Sequence, residues 1–311
     1  MKLKPKPLKP GDTIGIIAPS GPSTREKLDK GVQILVNMGF RVVLGESVFH
    51  KRGYLAGEDH IRLKDIHQMF RDKNVQGIVC MRGGDGAGRL LDRIDYDTIA
   101  KNPKVFVGYS DITALHIAFL QEAKLITFHG PMVTSDMIEE SFDGYSKEAF
   151  IKAVSWEKPL GELKNPDREE MKTMVEGRAY GEIVGGNLAL ISSTMGTAFE
   201  LDTRGKLLFI EDIHEGVYRI DRMLNQLLLA GKLQEASGII IGEFIDYEPE
   251  NPEDSLTLEN VIHDLIVPLN KPTVMGWKCG HGKHKLTIPL GVKGELNALD
   301  RQIRIVESAT Q

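Results

Sequence analysis

The sequence predicts an α/β protein, with an N-terminal parallel-sheet domain of the flavodoxin or Rossmann type and a second α/β domain after it. Two observations support this fold class. Short apolar, β-branched runs alternate with segments of helical periodicity, which is the pattern of a parallel sheet covered by helices on both faces. The chain also has 311 residues, which is enough for two domains of about 100–200 residues each.

The first half of the chain carries the clearest alternation. The predicted strands are 13–18, 41–44, 77–81 and 105–109. The predicted helices are 28–38, 62–70 and 111–120, the first of them closed by Gly39. Ligands bind beyond the carboxyl ends of the strands in such sheets. We therefore expect the functional residues in the loops 19–22, 82–88 and 109–111.

The second half has a different pattern. Residues 156–180 combine prolines with a charged run and show no long apolar period, so they are interpreted as a linker or crossover. This divides the chain into an N-terminal domain over 1–155 and a C-terminal domain over 181–311. In the latter, the pattern predicts helices over 182–195 and 220–229, and strands over 207–210, 238–242 and 285–292.

Composition excludes several classes of protein. The formal net charge is -5, the pI is about 6.0 and aromatic residues make up only 6%, which argues against a nucleic-acid partner. No apolar run approaches the roughly 20 residues of a membrane span, and no apolar stretch follows the N-terminal lysines as it would in a signal peptide. The two cysteines form no CxxC motif, so we expect a cytoplasmic protein without disulfides and without a membrane partner.

Ser110 follows the apolar strand 105–109 directly and precedes a predicted helix. A serine at such a turn presents its hydroxyl above the sheet, near the N–H groups of the helix start, as in a nucleophile elbow. The full G-x-S-x-G pattern would need glycine at Ile112, and that glycine is missing. The alternative for Ser110 is an ordinary N-cap.

Two carboxylates, Glu211 and Asp212, follow the apolar strand 207–210. A carboxylate at the carboxyl end of a strand can orient a histidine and stabilise its cation. The alternative is that these residues cap the helix that follows.

A histidine lies between glycines in the segment Cys279-Gly280-His281-Gly282-Lys283-His284. The glycines allow unusual backbone angles and bring His281 close to a ligand. Cys279, His281 and His284 together suggest a metal site as the alternative, but no HExxH or paired CxxC motif accompanies them. We therefore expect neither a metal nor a cofactor.

A glycine-rich run, Arg82-Gly83-Gly84-Asp85-Gly86-Ala87-Gly88, follows the strand 77–81. It fails the G-x-G-x-x-G pattern in both registers, and Gly231-Lys232 lacks the upstream glycine of a P-loop. The backbone N–H groups of this run can form a nest for an oxyanion or a carboxylate; a plain tight turn is the alternative. Cys80, inside the preceding strand, is expected to be an inert thiol.

Ser110, Glu211 and His281 supply a nucleophile, a carboxylate and a base in that chain order. Each lies at the end of an apolar strand or in a glycine loop. The same three roles recur on unrelated folds in different orders, so this set predicts triad chemistry of the serine type.

Several motifs along nearly the whole chain point in the same direction. In order they are Ile16-Ile17-Ala18-Pro19-Ser20-Gly21-Pro22, Arg82-Gly83-Gly84-Asp85-Gly86, Gly108-Tyr109-Ser110-Asp111, His129-Gly130-Pro131-Met132, Gly185-Gly186-Asn187-Leu188, Phe209-Ile210-Glu211-Asp212 and Gly280-His281-Gly282. With these motifs the chain resembles the LD-carboxypeptidases of murein recycling, a serine peptidase family that also includes microcin-immunity peptidases.

The resemblance implies a role for each site residue. It assigns the nucleophile to Ser110, the orienting carboxylate to Glu211 and the general base to His281. It implies an oxyanion hole from the backbone N–H of Asp111 and a second N–H in the Gly83-Gly84 loop, where Gly84 would bind the substrate oxygen. It further implies a two-domain homodimer without a cofactor, acting on a small muropeptide-like peptide.

Asp85 departs from the family pattern, in which an aromatic residue, often tyrosine, is usual beside the bond to be cut. An acid at this position can pair with an amine of the substrate; the alternative is that it is simply solvated. The reaction implied is hydrolysis of the bond between an L-centre and a terminal D-alanine in murein-derived peptides. Three alternatives stay open. The first is an immunity-type peptidase that cuts an amide in a peptidyl-nucleotide antibiotic, the second is a non-catalytic binding protein on the same scaffold, and the last is a metal-dependent hydrolase.

Overall fold

The computed structural model describes residues 2–140, 142, 144–249 and 251–311. The strands are β1 (Thr13–Ile17), β2 (Arg41–Leu44), β3 (Gly77–Cys80), β4 (Val105–Gly108), β5 (Thr127–His129), β6 (Gly161–Glu162), β7 (Lys172–Val175), β8 (Arg178–Asn187), β9 (Leu207–Ile213), β10 (Gly238–Ile245), β11 (Thr273–Met275), β12 (Ile288–Leu290), β13 (Lys293–Asn297) and β14 (Gln302–Ile305).

The helices follow the same chain order. They are α1 (Arg25–Asn37), α2 (Asp59–Arg71), α3 (Tyr96–Lys101), α4 (Thr113–Gln121), α5 (Gly144–Ser155), α6 (Leu188–Ser193), α7 (Val217–Leu229), α8 (Lys232–Glu235) and α9 (Leu258–Leu265). Short 3-10 turns cover Glu46–Phe49, Ala87–Arg93, Ser110–Ile112, Pro252–Asp254 and Val267–Leu269. Within the described ranges, every helix is too short or too polar to cross a membrane.

One compact unit consists of the chain up to Lys158 together with Thr287–Gly291 and Ser308–Gln311. Its six-stranded sheet has the order β12-β5-β4-β3-β1-β2. The five strands β1 to β5 pair in parallel, and β12 adds an antiparallel edge against β5. Strands β1, β3, β4 and β5 are buried along their whole length, which explains why the sequence shows continuous apolar runs there instead of alternation.

The strand order of this unit fixes where a ligand can bind. Strand β1 has β2 on one side and β3 on the other. The chain passes from β1 to β2 at one edge of the sheet, then returns to the other side of β1 to form β3, β4 and β5. The direction in which strands are added therefore reverses between β1 and β3. In doubly wound sheets the crevice at this reversal, outside the carboxyl ends of the strands, is the usual ligand site. The loops after β1 and β3 are therefore the expected walls of such a site.

His116, on the buried helix α4, supports the end of strand β4. Its Nε2 lies 2.8 Å from the carbonyl oxygen of Gly108, and its Nδ1 lies 2.8 Å from Oγ1 of Thr127. Burial lowers the pKa of His116 to about 4, so the ring is neutral at pH 7 and serves as a hydrogen-bonded core residue. These bonds fix the last residue of β4, two positions before Ser110.

The other compact unit consists of Pro159–Leu286 and Val292–Glu307. Its eight-stranded sheet has the order β6-β14-β13-β8-β9-β10-β11-β7. The central strands β8, β9, β10 and β11 run parallel, and antiparallel strands complete both edges. Together with the first unit, this mixed sheet confirms the predicted α/β fold class.

Residues 156–180, interpreted as a linker or crossover, contain β6, β7 and the first residues of β8. Two further segments differ from the sequence-based interpretation. Residues 182–187, expected to open a helix, belong to strand β8, and α6 begins only at Leu188. The reason is the parallel neighbour β9: a Cβ on Gly185 would lie 1.9 Å from the carbonyl oxygen of Phe209, so the two backbones touch at this point. Residues 285–292 contain the expected strand, but β12 pairs with β5, and Thr287–Gly291 therefore belongs to the first unit.

Arg62, on helix α2, ties the loops after β1 and β3 together. Its side chain is fully buried, and Nη1 donates to the carbonyl oxygens of Pro19 at 2.6 Å and Gly86 at 2.9 Å. Nη2 donates to the carboxylate of Asp59. A buried charge is tolerated only when it is paired and hydrogen-bonded in this way.

We expect Arg62→Met to lower the free energy of unfolding by about 3–5 kcal/mol, because it leaves two buried carbonyls without donors and breaks a buried ion pair. Arg71→Met is the matched control: Arg71 is on the same helix, but its ion pair with Asp95 is exposed, so its removal should change stability by at most about 1 kcal/mol. Urea unfolding measures both. Equal losses in the two variants would show that Arg62 does not anchor the loops.

Candidate active site

Ser110 occupies a strained turn at the carboxyl end of β4. Its φ is +63°, in the left-handed region that side chains other than glycine rarely adopt. It opens the 3-10 turn that leads into α4, while Tyr109 takes the N-cap position. Gly108 makes room for this turn, since a Cβ there would lie 2.9 Å from the side chain of Ile112. The packing of Ile112 into that space explains why the second glycine of G-x-S-x-G is absent.

Glycine backbone after β3 lies directly against the serine. A Cβ on Gly83 would lie 2.9 Å from both Cβ and Oγ of Ser110, so no larger residue fits. The carbonyl oxygen of Gly83 accepts a hydrogen bond from the N–H of Gly21 at 3.1 Å. Gly84 follows with a φ of +120° and is exposed, and a Cβ there would lie 3.2 Å from Cα of Gly21.

Asp111 connects the serine turn to the glycine-rich loop. Its carboxylate accepts a hydrogen bond from the N–H of Ala87 at 2.8 Å, and burial raises the pKa of this carboxyl. The side chain of Asp111 therefore makes a structural contact. The predicted oxyanion hole involves a different group of this residue, its backbone N–H. Asp85 is exposed, and its charge adds to the rise in the pKa of Asp111.

In the second unit, Glu211 and His281 form a direct pair. Nδ1 of His281 lies 2.7 Å from Oε2 of Glu211. The glutamate side chain is 0% exposed and that of the histidine 11%. A carboxylate oxygen accepts hydrogen bonds, so the tautomer that fits this contact carries its proton on Nδ1 and leaves Nε2 as the basic nitrogen. This is the arrangement in which a carboxylate orients a histidine and stabilises its cation.

Two glycines make the burial of Glu211 possible. A Cβ on Gly280, whose φ is +92°, would lie 2.3 Å from Oε2 of Glu211, and a Cβ on Gly242 would lie 3.1 Å from its Cβ. The glutamate is therefore enclosed by backbone. Its second oxygen, Oε1, is buried and has no hydrogen-bond partner among the described residues, so the carboxylate depends on His281 to balance its charge.

Lys285 holds the loop that carries His281, and the sequence analysis did not single it out. The side chain is buried, and Nζ donates to the carbonyl oxygens of Gly280 at 3.1 Å and Gly282 at 2.6 Å. These two carbonyls flank the histidine on either side. In the sequence, the one sign of this role is that the lysine stands directly before an apolar run. Its hydrogen-bond partners are backbone carbonyls, which every residue has, so they produce no recognisable sequence motif.

Asp212, the second carboxylate of the predicted pair, has a different role from its neighbour. It accepts hydrogen bonds from the side chain of Asn187 at 2.7 Å and from the N–H of Ala189 at 2.9 Å. Burial, reinforced by the charge of Glu211, raises the pKa of Asp212 to about 6. Asp212 thus binds the first turn of α6, a helix that precedes it in the chain. The alternative interpretation expects it to cap the helix that follows, which is α7, and there the N-cap is Gly216 without a side-chain hydrogen bond.

The remaining candidate ligands have partners of their own. Cys279 is buried and donates to the carbonyl oxygen of Trp277 at 3.4 Å, and Nε2 of His284 lies 3.4 Å from Glu169. Burial raises the pKa of the Cys80 thiol and that of the Cys279 thiol well above the usual value. Across the described ranges, no cluster of three or more His, Cys, Asp or Glu side chains is placed to bind a metal ion.

Comparison with known proteins gives matches along the chain. The model of the LD-carboxypeptidase N-terminal domain matches residues 14–130, and that of the C-terminal domain matches residues 180–296. The probable murein peptide carboxypeptidase of Bacillus subtilis is 44% identical over 304 residues, which covers 97% of this chain and 93% of the relative.

Solved structures agree with the sequence matches. The microcin C7 self-immunity protein MccF superposes with a TM-score of 0.93 at 27% identity, covering 99% of this chain and all of the other; the Escherichia coli protein of that name is among the sequence relatives. The muramoyltetrapeptide carboxypeptidase from Oxalobacter formigenes gives a TM-score of 0.84 at 27% identity, covering 96% of this chain and all of the other.

We expect Gly280→Ala to break the contact between His281 and Glu211, because the added Cβ has no space beside the carboxylate. Gly276→Ala is the matched control: its φ is also +92°, but the nearest atoms to its Cβ are 3.9 Å away. Gly280→Ala should lower the free energy of unfolding by about 2 kcal/mol more than the control, the usual effect of overpacking. It should also abolish the NMR resonance of the His281 Nδ1 proton. Equal stability losses with the resonance intact would contradict this account.

Proposed function

Since this chain belongs to the LD-carboxypeptidase family of serine peptidases, we propose that it hydrolyses the bond between an L-centre and a C-terminal D-amino acid, typically D-alanine, in murein-derived peptides. The substrate class follows the names of its relatives, which are murein peptide and muramoyltetrapeptide carboxypeptidases. The residue roles proposed below rest on the local geometry of Ser110, Glu211 and His281.

In the first step, Ser110 attacks the scissile carbonyl carbon. Its Oγ forms the new C–O bond, and its proton passes to Nε2 of His281. The carboxylate of Glu211, bonded to Nδ1 at 2.7 Å, stabilises the imidazolium that results. Because Glu211 is buried with Oε1 unpaired among the described residues, the positive charge on the ring offsets a charge that is otherwise poorly compensated.

The tetrahedral intermediate places a negative charge on the former carbonyl oxygen. We assign its stabilisation to backbone N–H groups of Asp111 and Gly84. Support comes from the approach of the Gly83-Gly84 backbone to Ser110 and from the hydrogen bond between Asp111 and Ala87, which fixes the two segments together. Fixed donors of this kind are worth about 10²- to 10³-fold each in turnover.

Collapse of the intermediate breaks the C–N bond. The imidazolium of His281 gives its proton to the leaving amine, and the D-amino acid departs. Water then attacks the acyl ester on Ser110, with His281 as the base, and releases the shortened peptide and the free serine.

One observation carries this proposal most directly: Ser110 is held at a φ of +63° between a buried strand and a helix. Such strain persists only where the surroundings impose it, and it is typical of functional positions. In nucleophile elbows the same turn exposes the serine oxygen at the end of a sheet. A serine with a purely structural capping role would have no need of this conformation.

We further propose a cytoplasmic enzyme that acts as a homodimer in peptidoglycan recycling. Two free, buried cysteines are compatible with a reducing compartment. The dimer and the recycling role follow only from the family resemblance.

A second candidate is cleavage of the amide in a peptidyl-nucleotide antibiotic. The similarity to the self-immunity protein MccF, with its TM-score of 0.93, and the acidic Asp85 favour it. The two candidates differ in the leaving amine: a D-amino acid in one case and a nucleotide-linked group in the other.

We expect the wild-type protein to release free D-alanine from a tetrapeptide that ends in an L-centre–D-Ala bond, with a chelator present. Ser110→Ala should lower kcat by about 10³-fold or more, as the loss of a triad member does elsewhere. Ser193→Ala, which removes an exposed hydroxyl on α6, is the control and should keep full activity. Release by Ser110→Ala at the wild-type rate would refute the nucleophile. Release only from a nucleotide-linked amide would favour the second candidate.

We expect Lys285→Met to lower kcat about 10- to 100-fold with little change in KM, because misplacement of a catalytic group by about 1 Å has an effect of this size. Lys283→Met is the control, since Lys283 is exposed on the same loop. Steady-state kinetics on the tetrapeptide separates kcat from KM. A rise in KM alone, or equal effects of the two variants, would argue against a positioning role for Lys285.

A further inference from the structure

A basic cavity of about 440 Å³ opens in the first unit, within the size range of small-molecule sites. It is lined by Pro22, Ser23, Thr24, Lys27, Lys51, Arg82, Thr134 and Ser135. These residues follow the carboxyl ends of four parallel strands, β1, β2, β3 and β5. Ser110 follows the fifth, β4, so the cavity and the serine share one edge of the sheet.

The position of the basic cavity agrees with the strand order. Pro22–Thr24 belong to the loop after β1, and Arg82 begins the loop after β3. These are the two loops at the point where the strand order reverses, which is the usual ligand site of doubly wound sheets. The fold therefore favours a ligand here independently of the charge.

The charge of the cavity points to an anion. Lys27, Lys51 and Arg82 contribute three positive charges, and none of the described residues that line the cavity is acidic, although the whole chain has a net charge of -5. The acid next in sequence to Lys27 is Glu26, whose carboxylate is bonded to Lys30 at 2.8 Å. The hydrogen bond from Lys30 and, to a smaller extent, the charge of Lys27 lower the pKa of Glu26. Three cations around one cavity raise the local concentration of an anionic ligand.

Hydrogen-bond donors of the cavity remain available for such a ligand. The guanidinium of Arg82 makes a single long contact within the described residues, 3.5 Å to the carbonyl oxygen of Pro22. The Thr24 hydroxyl accepts the N–H of Lys27 at 3.3 Å and keeps its own proton to donate. Thr24 is also the N-cap of α1, and the positive end of the helix dipole adds to the attraction for an anion.

Arg82 connects this cavity to the proposed nucleophile. It precedes Gly83, whose Cα lies so close to Ser110 that a Cβ would be 2.9 Å from Oγ. In a carboxypeptidase substrate, the terminal carboxylate is about one residue, roughly 4 Å, from the carbonyl under attack. Arginine binds carboxylates through two parallel N–H···O bonds, and its side chain is long enough to reach over that distance.

We infer that the basic cavity binds the C-terminal carboxylate of the peptide substrate, with Arg82 as the residue that contacts it and Lys27 and Lys51 as supporting charges. This inference rests on the proposed function and adds the specificity-determining site: it explains why cleavage would be confined to the last residue of the chain. A peptide whose terminus is blocked would lose the contact.

The test compares a tetrapeptide acid with the same peptide amidated at its C-terminus. Binding is measured by calorimetry in the Ser110→Ala variant, so that turnover does not interfere. We expect the acid to bind about 10- to 100-fold more tightly than the amide, as is usual for a charge-assisted bidentate contact. Adding Arg82→Gln should weaken binding of the acid about 10-fold and leave the amide unchanged, so that most of the preference for the acid is lost.

Matched variants separate the cavity from a general charge effect. Lys27→Gln and Lys51→Gln should each reduce the preference for the acid a few-fold. Lys30→Gln, on the same helix but paired with Glu26 outside the cavity, should leave it unchanged. An acid-to-amide ratio that persists in Arg82→Gln would overturn the inference. So would equal binding of both peptides with competition by inorganic phosphate, which would mark a phosphate site.

The outcomes also distinguish this inference from the proposed function. If the Arg82-dependent preference is found but the wild-type protein releases no D-alanine, the carboxylate site stands as a binding site and the proposed reaction fails. If the L–D bond is cut equally well in both peptides, with release of D-alanine from the acid and of D-alanine amide from the amide, the reaction stands and the carboxylate site fails.

Discussion

Close approach of glycine backbone to two reactive side chains is the constraint on which the candidate site depends. Gly83 lies against Ser110, and Gly280 lies against Glu211, each so near that a Cβ would overlap the side chain. In the first unit this brings the backbone of Gly83 directly against the side chain of the serine. In the second it seals a carboxylate away from water against one nitrogen of His281. Under the proposed mechanism, the same lack of a side chain allows stabilisation of the oxyanion in one place and orientation of the base in the other.

Buried cations keep these glycine loops in place. Arg62 donates to the carbonyls of Pro19 and Gly86, and Lys285 donates to the carbonyls that flank His281. Loops lack the regular hydrogen bonding of strands, so their buried carbonyls need donors from side chains. Burial of an ammonium or a guanidinium is costly, and here each is offset by direct bonds to backbone oxygens. The rigidity of both loops thus comes from the scaffold beneath them.

The sequence was informative where a short segment contains the whole signal. Apolar runs located the parallel strands, and a serine or carboxylate at the end of such a run predicted Ser110 and Glu211. Three kinds of feature could not be predicted from the sequence. The start of α6 was misplaced because the glycines of β8 are explained only by contact with β9. The pairing of β12 with β5 joins segments that lie far apart in the chain, and no local pattern records it. The role of Lys285 rests on backbone acceptors, which any sequence supplies.

The most direct test of the central claim, that Ser110 is the nucleophile of a serine peptidase, is labelling with a fluorophosphonate followed by mass spectrometry of the digested protein. The account predicts one phosphonyl group per chain, located on Ser110, with loss of D-alanine release in proportion to labelling. Protein fully labelled on Ser110 that still releases D-alanine, or inactivation through modification of a different residue, would contradict it.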